Sequence, residues 1–542
     1  MTGSKCLHGL LDVAPEPLQE DNYNNKSIER VIDQQTNNPI SAGNNSIHSN
    51  LTVESCDHMT LTTSEDLKLK SFVPLTFYCT IIALGGFVYG YDIGTIGGII
   101  DMPAFVGKFA DGGNSFKPVT KGLLVSVSCL GGFTSGLISS QVIPRIGMRW
   151  MIFLALNLYS LADLLILFAV NWKIVVAARI FNGIAFGSLT ITCPMYISEI
   201  TPLQYRGIYT CFTQLFITIG IVVGALTVWF TSSNYYTNDV MQYQYPVFQG
   251  MLISMGCGST IWLVPESPKW LVHRSKTITK VKKSLSRINH IPMTDESIVN
   301  STAKLFDLDF QERRSNKLNE KSKSIRRGKP KYLIRTLSGI LLYGFQQYTG
   351  INFFFFYGLM IFESVNLKST YVIPVIFGFV NLIFSLLSIF LISCFKRKTL
   401  LLFGSTMMAI CMVSFTIIGT LLKASKTIPL ILLSCSFISI FSITWGPIAT
   451  IVISEMYPST IKIKAMSICG SCSWIFNFSV ALMIPTLSKV IGLNIGYGFT
   501  IFTCLSIPFV YFYIPETKGK SSRRIDSYYE NFRFNKRIGV LQ

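Results

Sequence analysis

Between Phe72 and Tyr513 the chain returns repeatedly to apolar runs of about twenty residues. That is the length a helix needs to cross a hydrocarbon core ~30 Å thick. Twelve runs can be read, at roughly 72–99, 121–140, 150–170, 174–195, 208–230, 246–264, 332–361, 371–392, 399–422, 427–453, 463–488 and 491–513. In lipid every backbone polar group must be satisfied within the segment, so runs of this length predict helices. The expected fold class is an all-α integral membrane protein. Charged residues make up only 14% of the 542, against roughly a quarter in soluble domains.

Charge is unevenly placed along the chain. The segment 265–331 carries seventeen Lys/Arg and the stretch after Ile514 seven more, whereas connections on the other side hold few, such as Lys173, Lys368 and Lys489. Excess Lys/Arg in loops marks the cytoplasmic side. With an even number of spans, both termini and the 265–331 segment are expected in the cytosol. The net charge of +19 is then a topology signal rather than a nucleic-acid footprint, with some attraction to anionic lipid. The division that follows is a disordered polar tail over 1–70, a first six-helix bundle over 71–264, a basic linker with short helices over 265–331, a second bundle over 332–513, and a C-terminal tail over 514–542.

Two adjacent glutamines and an asparagine, Gln346, Gln347 and Asn352, lie inside the apolar run 332–361. A buried side-chain amide without partners costs several kcal/mol, and hydrocarbon supplies none. Carboxamides at membrane depth therefore face a cavity or neighbouring helices. Neutral donors and acceptors in a group suit a neutral, polyhydroxylated small molecule. An enzyme is not expected, because the chain has five His and no HExxH, GxSxG or phosphate-binding loop. Cys469 and Cys472 form a lone CxxC without a matching second pair, so no metal or cofactor is expected.

The two halves share phrases. Span four ends in Pro194-Met195-Tyr196-Ile197-Ser198-Glu199 followed by Arg206, and span ten in Ile453-Ser454-Glu455-Met456-Tyr457-Pro458 followed by Lys462. Span two leads to Arg145-Ile146-Gly147-Met148-Arg149, and span eight to Phe395-Lys396-Arg397-Lys398. Span six exits through Pro265-Glu266-Ser267-Pro268, and span twelve through Pro515-Glu516-Thr517. A duplicated six-span unit is the mark of a transporter built from two repeats.

With these phrases in order, the chain resembles the sugar porters of the major facilitator superfamily, and is most similar to the fungal hexose transporters. The likeness covers about 70–516 and rests on Gly86-to-Ile96, Arg179 with Gly183 and Gly187, Pro194-to-Arg206, Gln214-to-Thr218, Pro265-to-Pro268, Gln346-to-Asn352 and Pro515-to-Gly519. It implies twelve transmembrane helices in two six-helix bundles around a midplane site, in a monomer of the plasma membrane. It also implies facilitated diffusion of a hexose; a proton-coupled symporter or a non-transporting sugar receptor are the alternatives. The substrate-binding residues implied are Gln214, Gln346, Gln347, Asn352, Asn381 and Asn477, with Tyr357, Phe441 and Trp474 as aromatic partners. Helical spacing puts Gln214, Ile217, Thr218 and Ile221 on one face. Asp92 and Arg179 are expected to form a buried ion pair, and Asp92 matches the proton-carrying acid of the symporters.

A cytosolic gate is expected from Glu199 paired with Arg145 or Arg149, from Arg206 with nearby acids, and from Glu455 with Arg397, Lys398 and Lys462. The sequence departs from the family at Pro144, Met148, Ser393, Cys394 and Lys396, which predicts weakened latches and slow transport. Phe356 replaces a common tyrosine, and Thr450 stands where many relatives carry a large aromatic.

Overall fold

The computed structural model describes residues 72–530 apart from 111–114, 203–204, 236–238, 275–276, 319–331, 364–369, 422–426, 458 and 521. The expectations for 1–70 and for the chain beyond 530 lie outside the described residues. The first half contains α1 (Phe72–Ile99), α2 (Pro103–Phe109), α3 (Pro118–Ile146), α4 (Met148–Leu167), α5 (Trp172–Ile200), α6 (Arg206–Asn234) and α7 (Met241–Thr260). The linker forms α8 (Pro268–His273), α9 (Ile278–Asn289) and α10 (Glu296–Leu318). The second half contains α11 (Tyr332–Tyr348), α12 (Ile351–Glu363), α13 (Val372–Cys394), α14 (Arg397–Leu421), α15 (Thr427–Ile443), α16 (Trp445–Met456), α17 (Ser459–Ile491) and α18 (Ile495–Tyr513), followed by α19 (Ser522–Glu530). Among the described residues, nine helical stretches are long and apolar enough to cross a membrane.

Two runs that read as single spans are broken. The run 332–361 is interrupted between α11 and α12 at Gly350, whose φ of +92° is a conformation that side chains disfavour. The run 427–453 is interrupted at Thr444, one turn before Pro447, a residue that cannot donate to the preceding turn. In the first half the matching spans α1 and α5 are continuous, and α5 carries Pro194 internally. Hydropathy is blind to such breaks because the residues at them remain apolar or small.

Helix pairing repeats between the halves. In the first, α1 packs on α6, α3 on α5, and α4 on both α5 and α7. In the second, α11 packs on α17, α13 on α15, and α14 on both α15 and α18. The duplicated phrases therefore fold into duplicated neighbourhoods. The halves meet where α3 lies against α17 and α6 against α13, with α1 touching α12.

Glycine makes the tight crossings possible. Gly90 and Gly94 on α1 face Gly220 and Gly224 on α6, four residues apart on each helix. A Cβ on Gly90 would stand 1.9 Å from the Ile217 carbonyl oxygen, and one on Gly220 2.2 Å from that of Phe87. The crossing of α3 and α5 is equally close, with a Cβ on Gly183 falling 1.8 Å from the Ser128 oxygen. In lipid, where burial of apolar surface gives no drive to associate, such backbone approach supplies the dispersion contacts that hold helices together.

The linker helices form their own small core from Leu271, Val281, Leu285 and Ile298. At the same end of the second half, Asp526 of α19 pairs with buried Arg335 at 2.6 Å. Arg335 also lies 5.1 Å from the Tyr529 ring centre.

Candidate functional site

A cavity of about 180 Å³ lies between the two halves. A buried water needs roughly 10–15 Å³ measured this way, so the space is on the order of a dozen waters, the scale of one monosaccharide. Eight of the nine expected binding residues line it: Gln214, Gln346, Gln347, Asn352, Asn381, Phe441, Trp474 and Asn477. No charged side chain is part of its lining among the described residues.

The broken span brings the amides of α11 and α12 together. Gln346, in the last turn of α11, has its Nε2 donating to the carbonyls of Trp445 (2.8 Å) and Gly446 (3.2 Å), just past the break between α15 and α16. Beyond Gly350, the Nδ2 of Asn352 donates to Gln347 Oε1 and to Asn477 Oδ1, both at 2.9 Å. Gln347 in turn reaches Ser473 Oγ at 3.4 Å. A continuous helix would place Asn352 most of two turns beyond Gln346; the kink instead sets it against Gln347 and α17. Asn381 on α13 accepts from Ser442 Oγ at 2.6 Å. The Gln214 amide, on α6, has no protein partner among the described residues. The site is thus a hydrogen-bonded amide cluster from the second half facing one unengaged amide from the first.

Trp474 leans on α3, where Gly132 leaves room: a Cβ there would stand 2.5 Å from the indole. Its edge meets the Tyr89 ring at a centroid distance of 5.4 Å.

Tyr357 does not belong to the cavity. It is buried, and its hydroxyl donates to the Ala481 carbonyl at 2.7 Å, beyond the kink. Phe356 likewise lies off the cavity, its backbone oxygen 2.8 Å from where a Gly97 Cβ would sit. The ring that does line it is Phe355. On α6, Gln214, Ile217 and Ile221 line the cavity as helical spacing predicts, but Thr218 is buried and donates to the Leu215 carbonyl at 2.7 Å. Sequence reading missed Thr190, Thr210, Thr213 and Tyr343. Extending the Gln214 face back one turn would have found Thr210. Tyr343 and Thr450 touch at 3.4 Å, so the residue replacing the family's large aromatic engages a tyrosine hydroxyl.

Asp92 and Arg179 form a direct ion pair, as expected. Arg179 also donates to Ser128 Oγ at 3.3 Å. Asp92 lies on the side of α1 away from the cavity, which Tyr89 and Ile93 line.

At the linker end the gate differs from expectation. Glu199 does not meet Arg145 or Arg149 in an ion pair; it accepts from the Ser267 hydroxyl. Arg149 instead points to the Val264 carbonyl at 3.4 Å and lies over the Trp262 ring at 4.9 Å. Glu266 accepts from the backbone N–H of Met148 at 3.3 Å and of Ser267 at 3.1 Å. Burial pushes the Glu266 carboxyl up, opposed by the Ser267 N–H and by Arg149. In the second half Glu516 accepts from the N–H groups of Arg397 and Lys398, both at 3.1 Å, and Glu455 accepts from Thr517 Oγ1 at 2.6 Å. The repeated phrases therefore have one physical job: a glutamate after the last span of each half caps the N-terminus of α4 or α14, where exposed N–H groups favour an anion. Loss of an acid from the family pattern at Pro144 or Ser393 leaves this cap intact.

Arg397 pairs with Glu455 at 3.6 Å as expected, while Lys398 Nζ donates to the Tyr511 carbonyl at 2.6 Å. Contacts across the halves close this end: Arg397 Nη2 lies 2.8 Å from where a Gly207 Cβ would sit, and Lys462 Nζ donates to Ser198 Oγ at 3.0 Å. At the other end α1 and α12 approach closely, a Gly97 Cβ falling 2.8 Å from the Phe356 oxygen. Replacing Glu516 by Gln should lower the melting temperature of the purified protein, by the equivalent of roughly 0.3–2 kcal/mol. An unchanged melting curve would remove the capping role.

The sequence model of a family described as "Sugar (and other) transporter" matches residues 78–529. Hexose transporter HXT14 of Saccharomyces cerevisiae is 31% identical over 477 residues, covering 83% of this chain and 88% of that protein. A low-affinity glucose transporter of Kluyveromyces lactis is 31% identical over 477 residues, covering 85% and 83%. Among solved structures, the major facilitator proton:xylose symporter XylE bound to 6-bromo-6-deoxy-D-glucose superposes with a TM-score of 0.71 at 23% identity, over 85% of this chain and 100% of that one. Inward-open XylE from E. coli gives 0.66 at 23% identity, over 84% and 99%. Family, relatives and fold agree with a two-repeat bundle around a polar cavity: the chain has the major facilitator fold, belongs to the sugar transporter family and is a membrane transporter rather than an enzyme.

Proposed function

We propose that this protein carries a hexose across the plasma membrane by facilitated diffusion, the two six-helix bundles rocking around the cavity through twelve crossings with both termini in the cytosol. The observation that carries this reading is the cavity lining: Gln214 from one half faces Gln347, Asn352, Asn381 and Asn477 from the other, with no charged group among them. Uncharged amides can donate to and accept from sugar hydroxyls without the desolvation cost of an ion. The aromatic faces of Phe441 and Trp474 suit the C–H faces of a pyranose. Diffusion without an ion is favoured because Asp92 is already paired with Arg179 behind α1, outside the cavity lining. The similarity to yeast hexose transporters favours a six-carbon sugar over the xylose of the structural neighbour.

The test is uptake of radiolabelled glucose by cells stripped of their own hexose transporters. Saturable uptake that survives an uncoupler is expected. Uptake abolished by the uncoupler would establish the proton symporter instead, and binding without uptake the receptor. In the same assay Pro144→Asp should raise the rate if an acid before Gly147 completes the first-half latch; an unchanged rate would show that the Glu266 cap suffices.

A further inference from the structure

Behind α1, away from the sugar cavity, lies a second and much smaller void of about 30 Å³, lined by Tyr91, Asp92, Thr95, Tyr159, Asp163 and Arg179 among others. It has room for about two waters. Asp163, on α4, is a second carboxylate beside the Asp92–Arg179 pair and is only 3% exposed. Its Oδ1 accepts from Asn182 Nδ2 at 3.2 Å, while its Oδ2 has no hydrogen-bond partner. That Oδ2 stands 3.1 Å from where a Gly250 Cβ would sit, close to the Tyr159 hydroxyl. The groups around it are Asp92 and Tyr91 from α1, Arg179 and Asn182 from α5, and Tyr159 from its own helix. Arg179 is therefore the one cation among two acids in the described surroundings, and Asp92 already holds it.

An ionised carboxylate asks for several donors, and a buried anion without a counter-charge is strongly disfavoured. Two acids beside one guanidinium can satisfy both rules only by sharing a proton. We propose that Asp163 is a proton-binding site, neutral in the transport-competent protein, and that its ionisation slows transport by competing with Asp92 for Arg179. The link to transport is mechanical. Tyr89 and Ile93 on α1 line the sugar cavity while Asp92 lines the void. Likewise α5 carries Arg179 and Asn182 at one end and the cavity residues Thr190 and Pro194 further on. The proton is held through the cycle, so it sets the rate without being carried. This rests on the transport reading above only for its rate consequence; proton binding itself is read independently.

The experiment compares the purified full chain with Asp163→Asn, which mimics the neutral acid, and with Asp163→Glu, which keeps a titratable group. Melting temperature is followed from mildly acidic to alkaline buffer, and glucose exchange is measured in liposomes over the same range. Wild type should lose stability as pH rises, because ionisation buries a second negative charge, and its exchange rate should fall toward a limit of about tenfold per pH unit. Asp163→Asn should lose both alkaline declines while matching wild type in acid, and Asp163→Glu should restore them. Three results would overturn the proposal: Asp163→Asn keeping the wild-type pH profile of stability, Asp163→Asn unfolding at acidic pH where wild type is stable, or wild-type stability depending on sodium or potassium at fixed pH, which would put a metal cation in the void. Absence of glucose exchange at every pH would instead fail the transport reading, leaving the stability profile to decide the proton site.

Discussion

Replacing Asn352 by alanine should weaken hexose binding by roughly 1–3 kcal/mol, or about five- to 150-fold in affinity. The substitution does more than delete one contact to the ligand. Asn352 donates to both Gln347 and Asn477, so its loss frees two amides to rotate and leaves their oxygens unpaired in the cavity wall. Gln347→Ala should fall in the same range, since it removes the acceptor that orients Asn352. Tyr357→Phe supplies the contrast. Its hydroxyl is spent on the Ala481 carbonyl away from the cavity, so binding should be unchanged while the melting temperature falls by the equivalent of about 1 kcal/mol. A binding loss in Tyr357→Phe equal to that in Asn352→Ala would mean that the aromatic wall, not the amide cluster, holds the sugar.

A second large effect is expected at the glycine crossing of α1 and α6. Gly90→Val should abolish recovery of folded protein, because its side chain would have to occupy the position of the Ile217 carbonyl. Overpacking usually costs about 1–3 kcal/mol where side chains can shift; here the obstacle is backbone, and the two helices must separate along Gly90, Gly94, Gly220 and Gly224. Gly256→Ala on α7 is the control, since nothing lies within 4 Å of its Cβ position, and helix propensity alone should make it neutral or slightly stabilising. The measurement is the yield of monodisperse protein in detergent and its melting temperature. Equal behaviour of the two variants would refute the close crossing.

Much of the molecule could be read from residue order because its strongest constraints are local. Runs of apolar residues long enough for a bilayer specify helices, and the recurrence of Pro265-Glu266-Ser267 and Pro515-Glu516-Thr517 marks the same turn in each half. What those phrases do could not be read. Glutamates near arginines suggest ion pairs, yet Glu266 and Glu516 are held by backbone N–H groups that every residue but proline possesses and no sequence displays. The amide cluster was legible for a related reason: Gln346, Gln347 and Asn352 are anomalous in an apolar run. Asp163 is anomalous in the same way within Leu161-to-Leu167, and a search for carboxylates at membrane depth would have found it. The misplaced Tyr357 shows the opposite limit. Residues just past Gly350, such as Asn352 and Phe355, still face the cavity, but the backbone leaves helical values at Tyr357 itself (φ −126°, ψ 15°), a local break that no residue pattern displays. Thr210 and Tyr343 went unnoticed because hydroxyls in membrane helices commonly bond to their own backbone and carry no distinguishing pattern.

The central assertion, that one neutral cavity shared by both halves binds the sugar, is tested most directly by equilibrium binding of labelled glucose to the purified protein and to Gln214→Ala and Asn381→Ala. These residues come from opposite halves and line one space. Each substitution should weaken binding severalfold while leaving the melting temperature of the unliganded protein near that of wild type. Wild-type affinity in both variants would contradict a site formed by the two halves.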